Sequence, residues 1–209
     1  MTVTSSNENP RRQIFNELAP TWDSYSLVTA EKAQAIRGFI EALDLGTETR
    51  VLDIGCGTGV LAPFIAEKLG SRGSCVGLDI SEAMIEEARK KNFDTRFSFI
   101  RKDIYHFDAE RESFDAVIAY QVFPHLHDKE KALSIFGRLL KPGGRLCIAH
   151  VASSIEINKL HKERVSNPVL KTDYLPTAHD LAGMLLSAGF RVDTALDIPG
   201  RFLVKAVRL

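Results

Sequence analysis

Five short apolar runs, each separated from the next by a stretch of helical periodicity or a tight turn, constrain this chain more than any other feature. They are Val51–Ile54, Cys75–Leu78 closing on Asp79, Phe97–Arg101, Phe114–Tyr120 and Arg145–Val151. The run FDAVIAY is apolar almost throughout, as a strand buried on both faces requires. Helical spacing fills 60–69, then a Ser81-capped segment with Met84, Ile85 and Ala88 inward, then 128–140 with Ala132, Leu133, Phe136 and Leu139 inward. Such alternation predicts a parallel sheet with helices on both faces and right-handed crossovers. Pro142-Gly143-Gly144 reads as a sharp turn before the fifth strand. Beyond Val151 the rhythm breaks: 152–176 reads as one helix plus loop, and 177–188 as a helix. Two last strands, 190–196 and 202–207, flank Pro199-Gly200. A gap that short permits an antiparallel hairpin and forbids a parallel crossover. The expected fold is α/β: a doubly wound seven-stranded sheet, mostly parallel, with an antiparallel C-terminal hairpin strand.

A chain of 209 residues fits one domain spanning 1–209 with trimmings. One trimming is 1–45, an N-terminal helical lid: a polar tail over 1–12, a helix-like stretch over 13–26 interrupted by Pro20, and a helix over 29–45. The other is 152–176, an inserted acceptor-side segment. Lys+Arg and Asp+Glu are both 27, so the net charge is zero and no global basic field attracts nucleic acid or an anionic membrane. Cys56, Cys75 and Cys147 match no zinc spacing, and an odd, sparse count fits a reduced cytoplasm. Neither a signal-peptide apolar region nor a run of ~20 apolar residues is present. A cytoplasmic protein, monomeric or homodimeric, is expected, with no membrane span.

The chemistry begins at VLDIGCGTG. Gly55, Gly57 and Gly59 let the chain turn tightly and approach a ligand, and the loop feeds a helix N-terminus. In dinucleotide binders the spacing is G-x-G-x-x-G; here the third glycine comes one residue early. Asp53 at the strand end would repel a pyrophosphate and welcome an amino acid moiety. Asp79 ends the second strand, where an acid accepts ribose hydroxyls. Asp103 follows the third strand, where it and Ile104 suit an adenine. An amino acid end, a ribose and an adenine together describe S-adenosylmethionine.

The blocks VLDIGCGTGVL (51–61), VGLDIS (76–81), RKDI (101–104), FDAVIAYQVFPHL (114–126) and LKPGGRL (140–146) resemble those of class I S-adenosylmethionine-dependent methyltransferases, whose fold is Rossmann-like. The resemblance implies that Asp53, Gly55, Cys56, Gly57 and Gly59 hold the methionine part, with Cys56 a small filler between glycines. It gives Asp79 the ribose and Asp103 the adenine, places Ile80, Met84 and Ile104 around the adenosine, and puts Gln121 at the sulfonium end. IFNELAPTWDSY (14–25) looks like the opening segment of ubiquinone/menaquinone-type small-molecule methyltransferases, in which an aromatic residue closes over the cofactor; Tyr25 is the candidate. Phe15 and Trp22 read rather as core.

The implied activity is in-line methyl transfer to a small-molecule acceptor in a pocket lined by 14–28 and 151–176. The alternatives are a silent cofactor-binding module and a nicotinamide-dependent oxidoreductase, the latter opposed by the early glycine and Asp53. His125 and His150 are the candidate catalytic residues, as a general base for a protonated acceptor. With His161 they could line the acceptor pocket, but their separations constrain no geometry and no metal is assigned. Where many relatives carry two adjacent histidines, this chain has Pro124-His125-Leu126-His127. After the fourth strand it carries Tyr120-Gln121-Val122-Phe123, not the Asn-Pro-Pro-aromatic sequence of amino-group methylation of nucleic acids and protein glutamine.

Overall fold

Alternate residues of each central strand pack into two different cores, and this sets the architecture. The computed structural model describes residues 9–25 and 28–209, the side chain of Tyr25 excepted. Seven strands form one sheet: β1 (Arg50–Ile54), β2 (Ser74–Asp79), β3 (Phe97–Arg101), β4 (Phe114–Tyr120), β5 (Leu140–His150), β6 (Phe190–Ile198) and β7 (Arg201–Arg208). Their order is β3-β2-β1-β4-β5-β7-β6. The pairs among β1 to β5 are parallel, while β7 runs antiparallel to both β5 and β6. The predicted doubly wound sheet and its C-terminal hairpin are thus present. The hairpin turns back so that its second strand, not its first, joins the parallel body.

Eight helices cover the sheet: α1 (Arg11–Tyr25), α2 (Ala30–Ala42), α3 (Ala62–Ala66), α4 (Glu82–Lys90), α5 (Lys129–Leu139), α6 (Ser154–Glu163), α7 (Pro168–Lys171) and α8 (Ala178–Ser187) among the described residues. Leu52, Val117, Leu146 and Ile148 pack with Phe136 of α5 and Leu181 and Leu185 of α8. Their strand neighbours Val51, Ile118, Cys147 and Ala149 pack on the opposite face with Ile36 and Ile40 of α2 and Ile65 of α3. Burial on both faces is what leaves FDAVIAY without a polar alternation.

α1 runs through Pro20, which costs one backbone hydrogen bond where a break was expected. The predicted polar tail ends earlier, since Arg11 and Arg12 belong to α1; residues 1–8 lie outside the described ones. The helix read over 60–69 is regular only over α3. Pro142-Gly143-Gly144 is a bulge inside β5, not a turn before it: β4 and β5 pair at Phe114↔Leu140 and again at Ala116↔Arg145. The insert carries two helices, α6 and α7, instead of one.

Between β1 and β4 the strand order reverses direction. Ligands of open α/β sheets bind in the crevice at the carboxyl ends of the strands flanking such a switch point.

Candidate active site

A cavity of about 280 Å³ occupies that crevice. Its floor is the loop after β1. Gly55 has φ +64°, and a Cβ there would lie 2.2 Å from Val122 Cγ2, so no side chain fits between this loop and the chain leaving β4. The Cys56 N–H donates to the Leu78 carbonyl at 2.9 Å and latches the loop to β2. Gly57 faces the cavity: a Cβ there would find Trp22 Nε1 at 3.7 Å and nothing nearer, so it would take up ligand space.

The Asp79 carboxylate is gripped by backbone. Oδ2 accepts the Gly57 N–H at 3.0 Å and Oδ1 the Ser81 N–H at 2.9 Å. Burial pushes its pKa up to about 6, against the lowering effect of those N–H groups. Each oxygen keeps lone-pair capacity for a further donor. Ile80 and Met84 continue the wall. At the next strand end, Asp103 Oδ1 accepts the Tyr105 N–H at 3.0 Å and Oδ2 the Asn9 side-chain amide at 3.3 Å; Ile104 lines the cavity beside it. Gln121, past the end of β4, also lines it and holds a left-handed φ of +56°, a strained backbone of the kind concentrated at functional sites.

The remaining predicted site residues divide. Asp53 is 3% exposed and does not line the cavity; burial, then the charge of Asp79, pushes its pKa up to about 8. Gly59 points away, since a Cβ there would meet Phe93 Cε2 at 3.1 Å and Phe99 Cε1 at 3.3 Å; it makes room for that aromatic pair. Cys56 does line the cavity, and burial holds its thiol far above the ordinary range, so it is inert filler. His150 is not on this wall: its ring lies edge-on to Phe202, 6.0 Å away, and its buried Nε2 has no hydrogen-bond partner. Tyr25 ends α1, and its side chain lies outside the described residues.

α1 roofs the cavity. Phe15 and Trp22, read from sequence as core, face into it. Polar contacts hold the helix down along its length. Arg12 Nε donates to Glu82 Oε2 at 2.8 Å, and Asn16 Oδ1 accepts from Ser81 Oγ at 2.6 Å and from the Ala83 N–H at 3.3 Å. Asp23 accepts from Thr58 Oγ1 at 2.6 Å and pairs with Lys91 at 2.8 Å.

His125, in the 3-10 turn Phe123–His125, is on the cavity wall with its ring 5.2 Å from Phe15. Its Nδ1 is 2.7 Å from Asp173 Oδ2. Arg11 Nε donates to both oxygens of the same carboxylate at 3.1 Å. His161 Nδ1 lies 2.9 Å from the Asp173 carbonyl oxygen, and its ring 5.2 Å from that of His125. Burial lowers the His125 pKa, with Asp173 pulling it back up. No residue of 151–176 lines the cavity, contrary to expectation; Asp173 of the insert instead contacts His125. Arg11 and Asp173 were missed because nothing in their spacing marks them. The His127 ring instead lies tilted against that of Tyr105, their centroids 4.2 Å apart.

A strand-end carboxylate, a glycine floor and an apolar slot at a topological switch point define a nucleoside-binding α/β protein. The chain matches the family described as "Methyltransferase domain" over residues 45–183. It is 33% identical over 147 residues to the aklanonic acid methyltransferase of Streptomyces sp. (strain C5), covering 68% of this chain and 65% of that protein. It is 30% identical over 140 residues to the malonyl-[acyl-carrier protein] O-methyltransferase of Priestia megaterium, covering 67% and 50%. A SAM-dependent methyltransferase of Aquifex aeolicus superposes with a TM-score of 0.70 at 19% identity, over 95% of this chain and 98% of that one. The chain belongs to the methyltransferase-domain family and has the class I S-adenosylmethionine-dependent methyltransferase fold. It spans roughly half the length of the curated relatives it matches first. Among the described residues no helix is long and apolar enough to cross a membrane.

Proposed function

We propose that the protein transfers a methyl group from S-adenosylmethionine to a small-molecule acceptor by in-line displacement. The observation that carries this is the Asp79 carboxylate, tied to the Gly57 and Ser81 N–H groups on the wall of a cavity that Asp103 and Ile104 also line. In this reading Asp79 accepts the ribose hydroxyls and Asp103 the adenine amino group. Ile80, Met84 and Ile104 pack the adenosine, while Gly57 admits the amino acid end. When bound, S-adenosylmethionine would supply an electrophilic methyl on its sulfonium, open to displacement by an acceptor's lone pair. The protein's share is alignment and exclusion of water, with Phe15 and Trp22 of α1 closing the roof. His125 takes the proton from an acceptor that carries one. An imidazole paired with a carboxylate on the cavity wall supplies a proton acceptor where an acceptor molecule would sit, and this supports the enzyme over a silent module.

Calorimetry with S-adenosylhomocysteine is the test. The native protein binds it and does not bind NAD; Asp79→Ala loses about 2 kcal/mol, or ~30-fold in affinity, as expected for hydrogen bonds to a charged acceptor. Failure of the native protein to bind, or full affinity in the variant, rules the reading out. Transfer of labelled methyl from S-adenosylmethionine into a metabolite extract then distinguishes the enzyme from a silent module.

A further inference from the structure

We infer that Asp173 is the positioning residue for His125, and that through Arg11 the same carboxylate ties the readiness of His125 to the docking of α1 over the cavity. This rests on the reading of His125 as the acceptor's proton acceptor. Three separate parts of the chain converge on Asp173: Arg11 from α1, His125 from the turn after β4, and His161 of α6 on its main-chain carbonyl. The Asp173 side chain is 1% exposed, so its charge persists only if it is compensated.

Which partner supplies the compensating charge decides the chemistry. With Arg11 in place the guanidinium neutralises Asp173, and His125 stays neutral. It then gives its single N–H, on Nδ1, to the carboxylate, leaving Nε2 unprotonated and able to take a proton. With Arg11 withdrawn, the ionisable partner left on the Asp173 carboxylate is the His125 imidazole, 2.7 Å away. The carboxylate draws a proton onto His125, which becomes imidazolium and no longer a base. Other groups act on this balance. His161 and Arg11 both disfavour the charged form of His125, and Asp173 favours it. Lys129 lies in the fields of Asp173 and Arg11, and His150 in those of His125 and His161. Because Phe15 and Trp22 on the same helix roof the cavity, closing the roof and freeing the base are one event.

Long-range proton–nitrogen correlation spectra of ¹⁵N-histidine-labelled protein test this without any acceptor. In the native protein at neutral pH, His125 carries its proton on Nδ1. Arg11→Met raises the His125 midpoint by about one pH unit. Asp173→Asn lowers the midpoint and moves protonation toward Nε2. A native proton on Nε2, or a midpoint unmoved by Arg11→Met, overturns the inference; both measurements stand even if Asp173→Asn does not fold. A failure of the underlying reading shows differently: methyl transfer into extract that survives His125→Gln, with the spectra unaltered in the native protein, removes the base and with it the purpose of the coupling.

Discussion

Asp53 shows how a residue is legible in type and illegible in role. Its place at the end of β1 could be read from VLDIG, but its burial and its absence from the cavity lining, which its neighbours Ile54 and Gly55 do join, appear only in the folded chain. Burial, then repulsion from Asp79, raises its pKa to about 8. A carboxyl raised above its unfolded value contributes stability present at acid pH, and that contribution is lost as pH rises through the folded pKa. The ligand-free protein therefore loses stability from this group between about pH 4 and pH 8. In thermal melts, Asp53→Asn gains on the native protein progressively from pH 5 to pH 8; a constant difference between the two would contradict the assignment. Gly77 is a second case. A Cβ there would lie 2.8 Å from Phe99 Cδ1 and 2.9 Å from Cys56 Sγ, so Gly77→Ala overpacks the floor of the site. Denaturant unfolding should show a loss of about 1–3 kcal/mol.

At the scale of elements, the sequence is a good guide where periodicity is strong and a poor one where a helix is held by polar contacts. The strands and α4, α5 and α8 follow from apolar spacing, and α4 also from its Ser81 cap; in the structure Asp128 and Thr177 cap α5 and α8. β5 is longer than its sequence suggests, because Pro-Gly-Gly is ordinarily a turn. Pairing on both sides of it with β4 keeps the segment in the sheet as a bulge. α1 owes its position to contacts with α4 and the glycine loop that no periodicity encodes. Asn16 is the centre of these, accepting from Ser81 and Ala83 and donating to Glu82 at 3.1 Å. Asn16→Ala should loosen the roof by about 1 kcal/mol per lost bond. The expected readouts are S-adenosylhomocysteine binding weakened ~5-fold or more and faster proteolysis within α1. Unchanged values for both would show that the roof is held otherwise.

For the whole molecule, buried titratable groups set the pH range in which it stays folded. Burial, then the charges of His125 and His161, pushes His150 down to about 3. A histidine depressed below its unfolded value contributes stability present above about pH 6.5 and lost as pH falls below it. This contribution, opposite in sign to that of Asp53, should fall away below pH 6.5, and His150→Leu should remove it, gaining on the native protein in melts at pH 5 relative to pH 7. An equal acid loss in the variant would place the sensitivity elsewhere. The alternation of apolar runs and helical stretches was enough, by itself, to determine the sheet, its mostly parallel sense, the closing hairpin and three acids at neighbouring strand ends, because strand and helix periods are local properties of the chain. Tertiary structure alone decided which acids face the cavity, that the opening helix roofs it, and that Arg11, His125 and Asp173 meet. Arg11 and Asp173 are 162 positions apart and His125 and Asp173 are 48 apart. Compensation of buried charge acts through space, and only the folded chain brings such groups within its reach.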